Sequence, residues 1–136
     1  MEVHHEMVYA ALFSKLRPSG EDSSRIVLAE LCYDSGDPYA VTVDLDCGSN
    51  VRWLIGRDLL VDGMFSPVGE GNVRVSPAGS RQVIVLALSS PDGEAVLEVA
   101  AVALGAFLAG TFECVAAGEE SAFIDFDTEI AKLRGY

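Results

Sequence analysis

Within residues 39–47, apolar and polar residues alternate strictly from Val41 to Cys47, and this pattern limits the folds open to the chain more than any other. The apolar members are Val41, Val43, Leu45 and Cys47, and the polar members are Thr42, Asp44 and Asp46. Successive side chains of a β-strand point to opposite faces, so this run predicts a strand with one buried face and one solvated face. Such half-buried strands are typical of antiparallel sheets.

Similar patterns predict strands through most of the chain. The predicted strands cover residues 7–15, 25–34, 39–47, 51–55, 73–75, 82–88 and 94–99. Loops or turns are predicted between them at 18–24, 35–38, 47–50, 66–72 and 91–93, where glycine, proline, serine and aspartate concentrate. In the strand from Arg25, the buried face is expected to carry Val27, Ala29, Leu31 and Tyr33. Strand 82–88 is almost wholly apolar, which predicts a central strand covered on both faces.

Three segments have helical spacing. A short helix is predicted over Arg57–Gly63, with the glycine in a left-handed terminal conformation. A second helix should bury one face, formed by Leu104, Phe107, Leu108, Thr111 and Val115. Close packing is expected at Gly105 and Gly110, because glycine otherwise weakens a helix by about 1 kcal/mol relative to alanine. A last helix is predicted over residues 127–133.

These elements predict an α+β fold of mostly antiparallel sheets with two to three helices and a hint of two similar halves. The 136 residues suffice for one domain, predicted to span residues 1–136. Half of the residues are apolar, more than a small core readily hides, and we therefore expect a homo-oligomer.

The charge balance disfavours two classes of partner, nucleic acids and acidic membrane surfaces. Nine Lys and Arg residues against 21 Asp and Glu give a net charge of −12, and the cations are scattered singly. Nucleic-acid binding and association with an acidic membrane surface both need clustered cations. The amino terminus lacks the basic region of a signal peptide, and no apolar stretch is long enough to span a membrane. Three widely spaced cysteines, Cys32, Cys47 and Cys114, are expected to be reduced thiols of a cytoplasmic protein.

Several residue groups resemble parts of catalytic sites, and each has a simpler interpretation. His4 and His5 are adjacent, so on a strand they would point to opposite faces. Asp44 and Asp46 share a strand face, as a magnesium site would require, but any solvated sheet face produces this pattern. Gly69-Glu70-Gly71 precedes a strand rather than the helix of a phosphate-binding loop. No catalytic, cofactor or metal site is predicted.

The candidate partner-binding residues are Trp53, Arg57 and Asp58, at the corner between the strand 51–55 and the helix after it. Trp and Arg are enriched among interface hot spots. The simpler interpretation is that Trp53 anchors the short helix to the sheet. Cys114 is an unfavourable nucleophile, because Glu113 beside it should raise the pKa of the thiol.

Four segments in order resemble the SsgA-like family of actinobacterial sporulation and cell-division proteins. They are residues 33–41 (YDSGDPYAV), 52–60 (RWLIGRDLL), 69–75 (GEGNVRV) and 88–95 (LSSPDGEA). The resemblance covers about residues 31–133, whereas residues 1–24 form a divergent amino-terminal strand and loop. Ser76, Gly56 and Asn72 stand where the family often has tryptophan, alanine and aspartate.

The resemblance implies a non-enzymatic protein of sporulation-specific septation. It further implies a Whirly-like, bell-shaped trimer, no cofactor, and FtsZ or another SsgA-like protein as partner at the division septum. Fold analogy alone leaves single-stranded nucleic-acid binding as an alternative, which the charge disfavours. An enzyme using Asp44 and Asp46 with magnesium is a third hypothesis.

Overall fold

The computed structural model describes residues 6–18, 23–46, 50–91 and 93–123. They form an eight-stranded, wholly antiparallel sheet and two α-helices, an α+β fold as the sequence predicts. The strands are β1 (Met7–Pro18), β2 (Arg25–Asp34), β3 (Ala40–Asp46), β4 (Asn50–Gly56), β5 (Val68–Glu70), β6 (Val73–Ala78), β7 (Val83–Ser90) and β8 (Gly93–Ala100). The helices are α1 (Arg57–Gly63) and α2 (Ala101–Cys114), and a 3₁₀ turn follows at Glu120–Phe123.

The described residues form two similar halves, each with four strands followed by a helix. The strand order is β4-β3-β2-β1-β8-β7-β6-β5, so β1 and β8 join the two meanders at the centre. Helix α1 contacts β4 at one end of the sheet and β5 and β6 at the other. Because one short helix reaches both ends, the sheet must curl around it.

The core lies on the inner face of the curled sheet. As predicted, Val27, Ala29, Leu31 and Tyr33 are buried on β2, and Val41, Val43 and Leu45 are buried on β3. Helix α2 buries Leu104, Phe107, Leu108 and Thr111 as its periodicity indicates, with Val115 buried just beyond it. None of the helices among the described residues combines the length and apolar character needed to cross a bilayer.

Gly63 differs from its prediction. It is the last residue of α1 and is buried, and its φ angle is not positive. A β-carbon at Gly63 would collide with the side chain of Val75 on β6. The residue is therefore explained by the close approach of α1 to the sheet and not by a left-handed helix end.

Three other details of the sequence-based expectations are corrected. Residues 68–70, expected in a loop, form the edge strand β5. Strand β7 is central between β6 and β8, but only one of its faces is fully buried. In α2, a β-carbon at Gly110 would lie only 3.2 Å from the Val8 side chain, so close packing is confirmed there, whereas a β-carbon at Gly105 would meet only the flexible end of Met64 at 3.4 Å.

Some predictions fall outside the described residues. They concern the His4-His5 pair, the loop residues 19–22, the turn at 47–49 with Cys47, Asp92, and the helix over 127–133.

Candidate functional site

The corner between β4 and α1 is built around one buried cation, Arg57. The chain passes from β4 into α1 at Gly56, and the Arg57 amide donates a hydrogen bond to the carbonyl of Tyr39 at 2.8 Å. The Arg57 side chain is only 1% exposed. This differs from the expectation of a surface residue, because the guanidinium extends inward to the end of α2 and cannot contact a partner directly in this structure.

Arg57 satisfies carbonyl groups at the carboxyl end of α2. Its Nη1 donates to the carbonyl oxygens of Thr111 at 3.1 Å and Val115 at 2.7 Å. The last carbonyls of a helix have no partner within the helix, and they attract positive charge. Helix α2 has no basic residue in its last turn, so a cation from a distant part of the chain supplies what the helix lacks.

Two aromatic rings enclose the guanidinium. Its carbon lies 4.0 Å from the ring centroid of Phe112 on α2 and 5.0 Å from that of Tyr33 on β2. Cation–π contacts of this kind contribute about 1 kcal/mol or more when they are shielded from water. Burial raises the pKa of Tyr33 to about 12, and its hydroxyl donates to the carbonyl of Pro38 at 2.8 Å.

Glu120 provides the countercharge. Its Oε2 lies 3.3 Å from Nη2 of Arg57, and Nη2 and Nε have no aligned hydrogen-bond acceptor among the described residues. The Glu120 carboxyl has a pKa below its ordinary value, because its own backbone N–H, the backbone of Gly118 and the Arg57 guanidinium stabilise the charged form. Arg57 thereby joins β2, α1, α2 and the 3₁₀ turn at one point.

The other two predicted partner-binding residues, Trp53 and Asp58, differ from Arg57 in their exposure to solvent. Trp53 is half-buried and packs against the core from β4, opposite Val43 on β3. Asp58 is exposed in the first turn of α1, where a carboxylate is favourable to the helix dipole. Of the three predicted residues, Trp53 and Asp58 thus have solvent-accessible surface, whereas Arg57 is buried and connects the elements that carry them.

The first two family-like segments meet at this cluster, and the other two meet at the opposite end of the sheet. Strand β6 pairs with β7, and the Ser89 amide donates to the carbonyl of Asn72 at 2.9 Å. Asn72 and Ser89 border an open groove of about 210 Å³. The groove is lined by Gly71, Asn72, Arg74, Ala87, Leu88, Ser89, Glu94, Ala95 and Val96. The charged residues that line the groove are one cation, Arg74, and one carboxylate, Glu94. These two groups do not form a recognisable catalytic site.

The remaining candidate residues have ordinary surroundings. Asp44 forms a two-point ion pair with Arg52, at 2.8 and 3.1 Å, on the outer face of the sheet. Among the described residues, no three His, Cys, Asp or Glu side chains are grouped as a metal site requires. Cys32 and Cys114 are free thiols. The pKa of Cys114 is raised as expected, but by burial and by Glu6 rather than by Glu113.

Comparison with known proteins identifies the family. The family model described as "Streptomyces sporulation and cell division protein, SsgA" matches residues 27–120. A relative from Streptomyces coelicolor, named sporulation-specific cell division protein SsgB, is 44% identical over 82% of this chain and 85% of its own. An SsgB from Frankia casuarinae is 36% identical over 98% of this chain and 95% of its own.

Solved structures agree with the sequence matches. The crystal structure of an SsgA-like sporulation-specific cell division protein from Thermobifida fusca has a TM-score of 0.82 at 32% identity, covering 98% of this chain and 99% of that one. A structure from work correlating SsgB mutations with longitudinal cell division in Streptomyces coelicolor has a TM-score of 0.80 at 41% identity, covering 88% and 96%. The resemblance in the four segments is confirmed, and the chain belongs to the SsgA family of sporulation and cell-division proteins.

Proposed function

We propose that this protein positions or activates the division septum during sporulation by recruiting FtsZ or stimulating its assembly, directly or through another SsgA-like protein. The observation that carries the proposal is the match over nearly the whole chain to relatives named sporulation-specific cell division proteins. The proposed role is that of a cytoplasmic adaptor at the septum rather than of an enzyme.

The partner-binding surface in this proposal is the β4–α1 corner. Trp53 offers a half-buried aromatic ring and Asp58 an exposed carboxylate a few residues away. Large aromatic side chains anchored in the core present contact area at low entropic cost, which favours them as interface anchors. The Arg57 cluster beneath them makes this corner a rigid platform.

Self-assembly belongs to the same proposal, with the Whirly-like trimer as the expected form. The outward face of α2 supports it. Val102 is 85% exposed, Ala106 and Ala109 are also exposed, and α2 has no charged residue before Glu113. A helix that is apolar all round is typical of a buried position. Two copies that each carry −12 can approach most readily where neither has a charge.

A fluorescent fusion expressed from the native locus in sporulating cells tests the role. The protein is expected in regularly spaced bands that coincide with FtsZ before septa form, and deletion of the gene should reduce or misplace those bands. A uniform distribution through sporulation, with FtsZ bands unchanged by the deletion, would contradict the proposal.

A further inference from the structure

The face of the sheet turned away from the core carries large apolar side chains where solvated strands usually carry polar ones. On β1 the side chains at odd positions point outward, and Phe13 is 79% exposed with Tyr9 also exposed. On the neighbouring β2, Ile26 is 65% exposed and Leu28 is half-buried. Tyr9, Phe13, Ile26 and Leu28 are called the outer patch below.

Strand pairing brings Phe13, Ile26 and Leu28 together, and Tyr9 lies on the same face beyond Ala11. Phe13 lies directly opposite Leu28, and Lys15, the next outward residue of β1, lies opposite Ile26. Directly opposed side chains on one face of an antiparallel pair are about 5 Å apart, and diagonal neighbours are within reach of an aromatic ring. A contiguous apolar patch on the surface of a small protein is characteristic of an interaction site.

The charges around the outer patch indicate what it can bind. Glu30 lies on the same face of β2, opposite Ala11 of β1 and Asp44 of β3. A hydrogen bond from the Tyr9 hydroxyl to Glu30 raises the pKa of Tyr9, and no ion pair engages Glu30 among the described residues. Asp44, in contrast, is neutralised by Arg52. Lys15, the outward residue next to Phe13, lies opposite Glu98 of β8. The charges nearest the patch are therefore one cation and two carboxylates, Glu30 and Glu98, in a protein of net charge −12.

This charge disfavours a second copy as the occupant. Two copies meeting here would bring Glu30 and an overall charge of −12 towards a surface of the same sign, and like charges oppose association. The outward face of α2 has no such conflict. A partner segment with an apolar face and flanking Lys or Arg residues complements both the rings and the carboxylate.

We propose that the outer patch is a docking surface for a cationic amphipathic segment of a partner protein. The apolar face of the segment would cover Phe13, Ile26 and Leu28, and one of its cations would pair with Glu30. The surface is distinct from the Trp53–Asp58 corner, and the inference does not depend on whether FtsZ is the partner.

Fluorescence anisotropy with two labelled model peptides tests the proposal. One is an amphipathic helix of leucine and lysine, and the other has glutamate in place of every lysine. The intact protein should bind the lysine peptide and not the glutamate peptide. A Phe13→Ser/Ile26→Ser double variant should bind it about tenfold more weakly, as expected when apolar contact is lost. Phe65→Ser, which changes an exposed apolar residue outside the sheet, is the matched control and should bind normally.

Two results would overturn the proposal. Equal affinity of the double variant and the intact protein would mean that the peptide binds by charge alone. A lower molar mass of the double variant in light scattering, with Phe65→Ser unchanged, would make a second copy the occupant. Glu30→Gln gives an independent check, since it leaves the apolar residues in place and should still weaken binding of the lysine peptide several-fold.

Discussion

Removal of the buried charge at Arg57 is the perturbation whose effect the structure fixes best. Arg57→Met keeps an unbranched side chain between the rings of Tyr33 and Phe112 but loses both hydrogen bonds to the end of α2. Hydrogen bonds from a charged donor contribute about 1.5–3 kcal/mol each. Breaking one member of a buried ion pair typically costs about 3–5 kcal/mol. After a partial offset from the apolar packing of methionine, we expect the free energy of unfolding to fall by about 4 kcal/mol.

Urea unfolding at pH 7 measures this loss, with the fluorescence of Trp53 as the signal, because the single tryptophan packs against the core. Arg52→Met is the matched control. Its guanidinium is 72% exposed and pairs with Asp44 at the surface, and exposed ion pairs contribute little to stability. Similar losses in the two variants, or a loss below about 1 kcal/mol for Arg57→Met, would refute the structural role of the buried cation.

Three further predictions follow from other parts of the fold. In the folded state the pKa of Tyr33 is raised to about 12, so the stability that this tyrosine contributes is complete below its ordinary pKa of 10 and is lost as the pH rises towards 12. Tyr33→Phe should flatten this part of the pH–stability curve in alkaline unfolding experiments. An unchanged slope would contradict this prediction. Gly63→Ala should destabilise the protein by about 1–3 kcal/mol through collision with Val75. Gly105→Ala should instead stabilise it by up to about 1 kcal/mol through helix propensity. Thermal unfolding of both variants measures this contrast, and a change in stability of the same sign in both would contradict it. Ala106→Glu places a charge on the exposed face of α2 and should reduce the molar mass in light scattering to that of a single chain; an unchanged oligomer would place the self-association elsewhere.

Much of the architecture could be predicted because the strands are half-buried. Where one face is buried and the other solvated, a period of two identifies the buried set, as for Val41, Val43 and Leu45. The three-residue strand β5 could not be found this way, since Val68–Glu70 is too short to show a period and contains a turn-forming glycine. Gly63 was expected at a left-handed helix end, and only the short distance between α1 and β6 shows that close packing requires the glycine.

The burial of Arg57 was missed because a charged residue that follows a strand usually lies at the surface. A signal for it was nevertheless present. Residues 99–112 carry no charge, and most of them form α2 (Ala101–Cys114). The last turn of α2 contains Glu113, an unfavourable charge at a helix carboxyl end, and no cation. Such a helix needs a cation from elsewhere in the chain. Which of the scattered cations supplies it depends on the long-range approach of α1 and α2, and no local pattern contains that information.

Co-sedimentation with FtsZ from the same organism, assembled with GTP, is the most direct test of the proposed recruitment of FtsZ. It should be run with and without a second SsgA-like protein of that organism, on intact protein, Asp58→Lys, and Trp53→Ala with its fold checked by circular dichroism. The intact protein should pellet saturably with FtsZ, either alone or with the second SsgA-like protein, and both variants should pellet more weakly. Intact protein that stays in the supernatant at every FtsZ concentration, with and without the second SsgA-like protein, would contradict the proposed role in FtsZ recruitment.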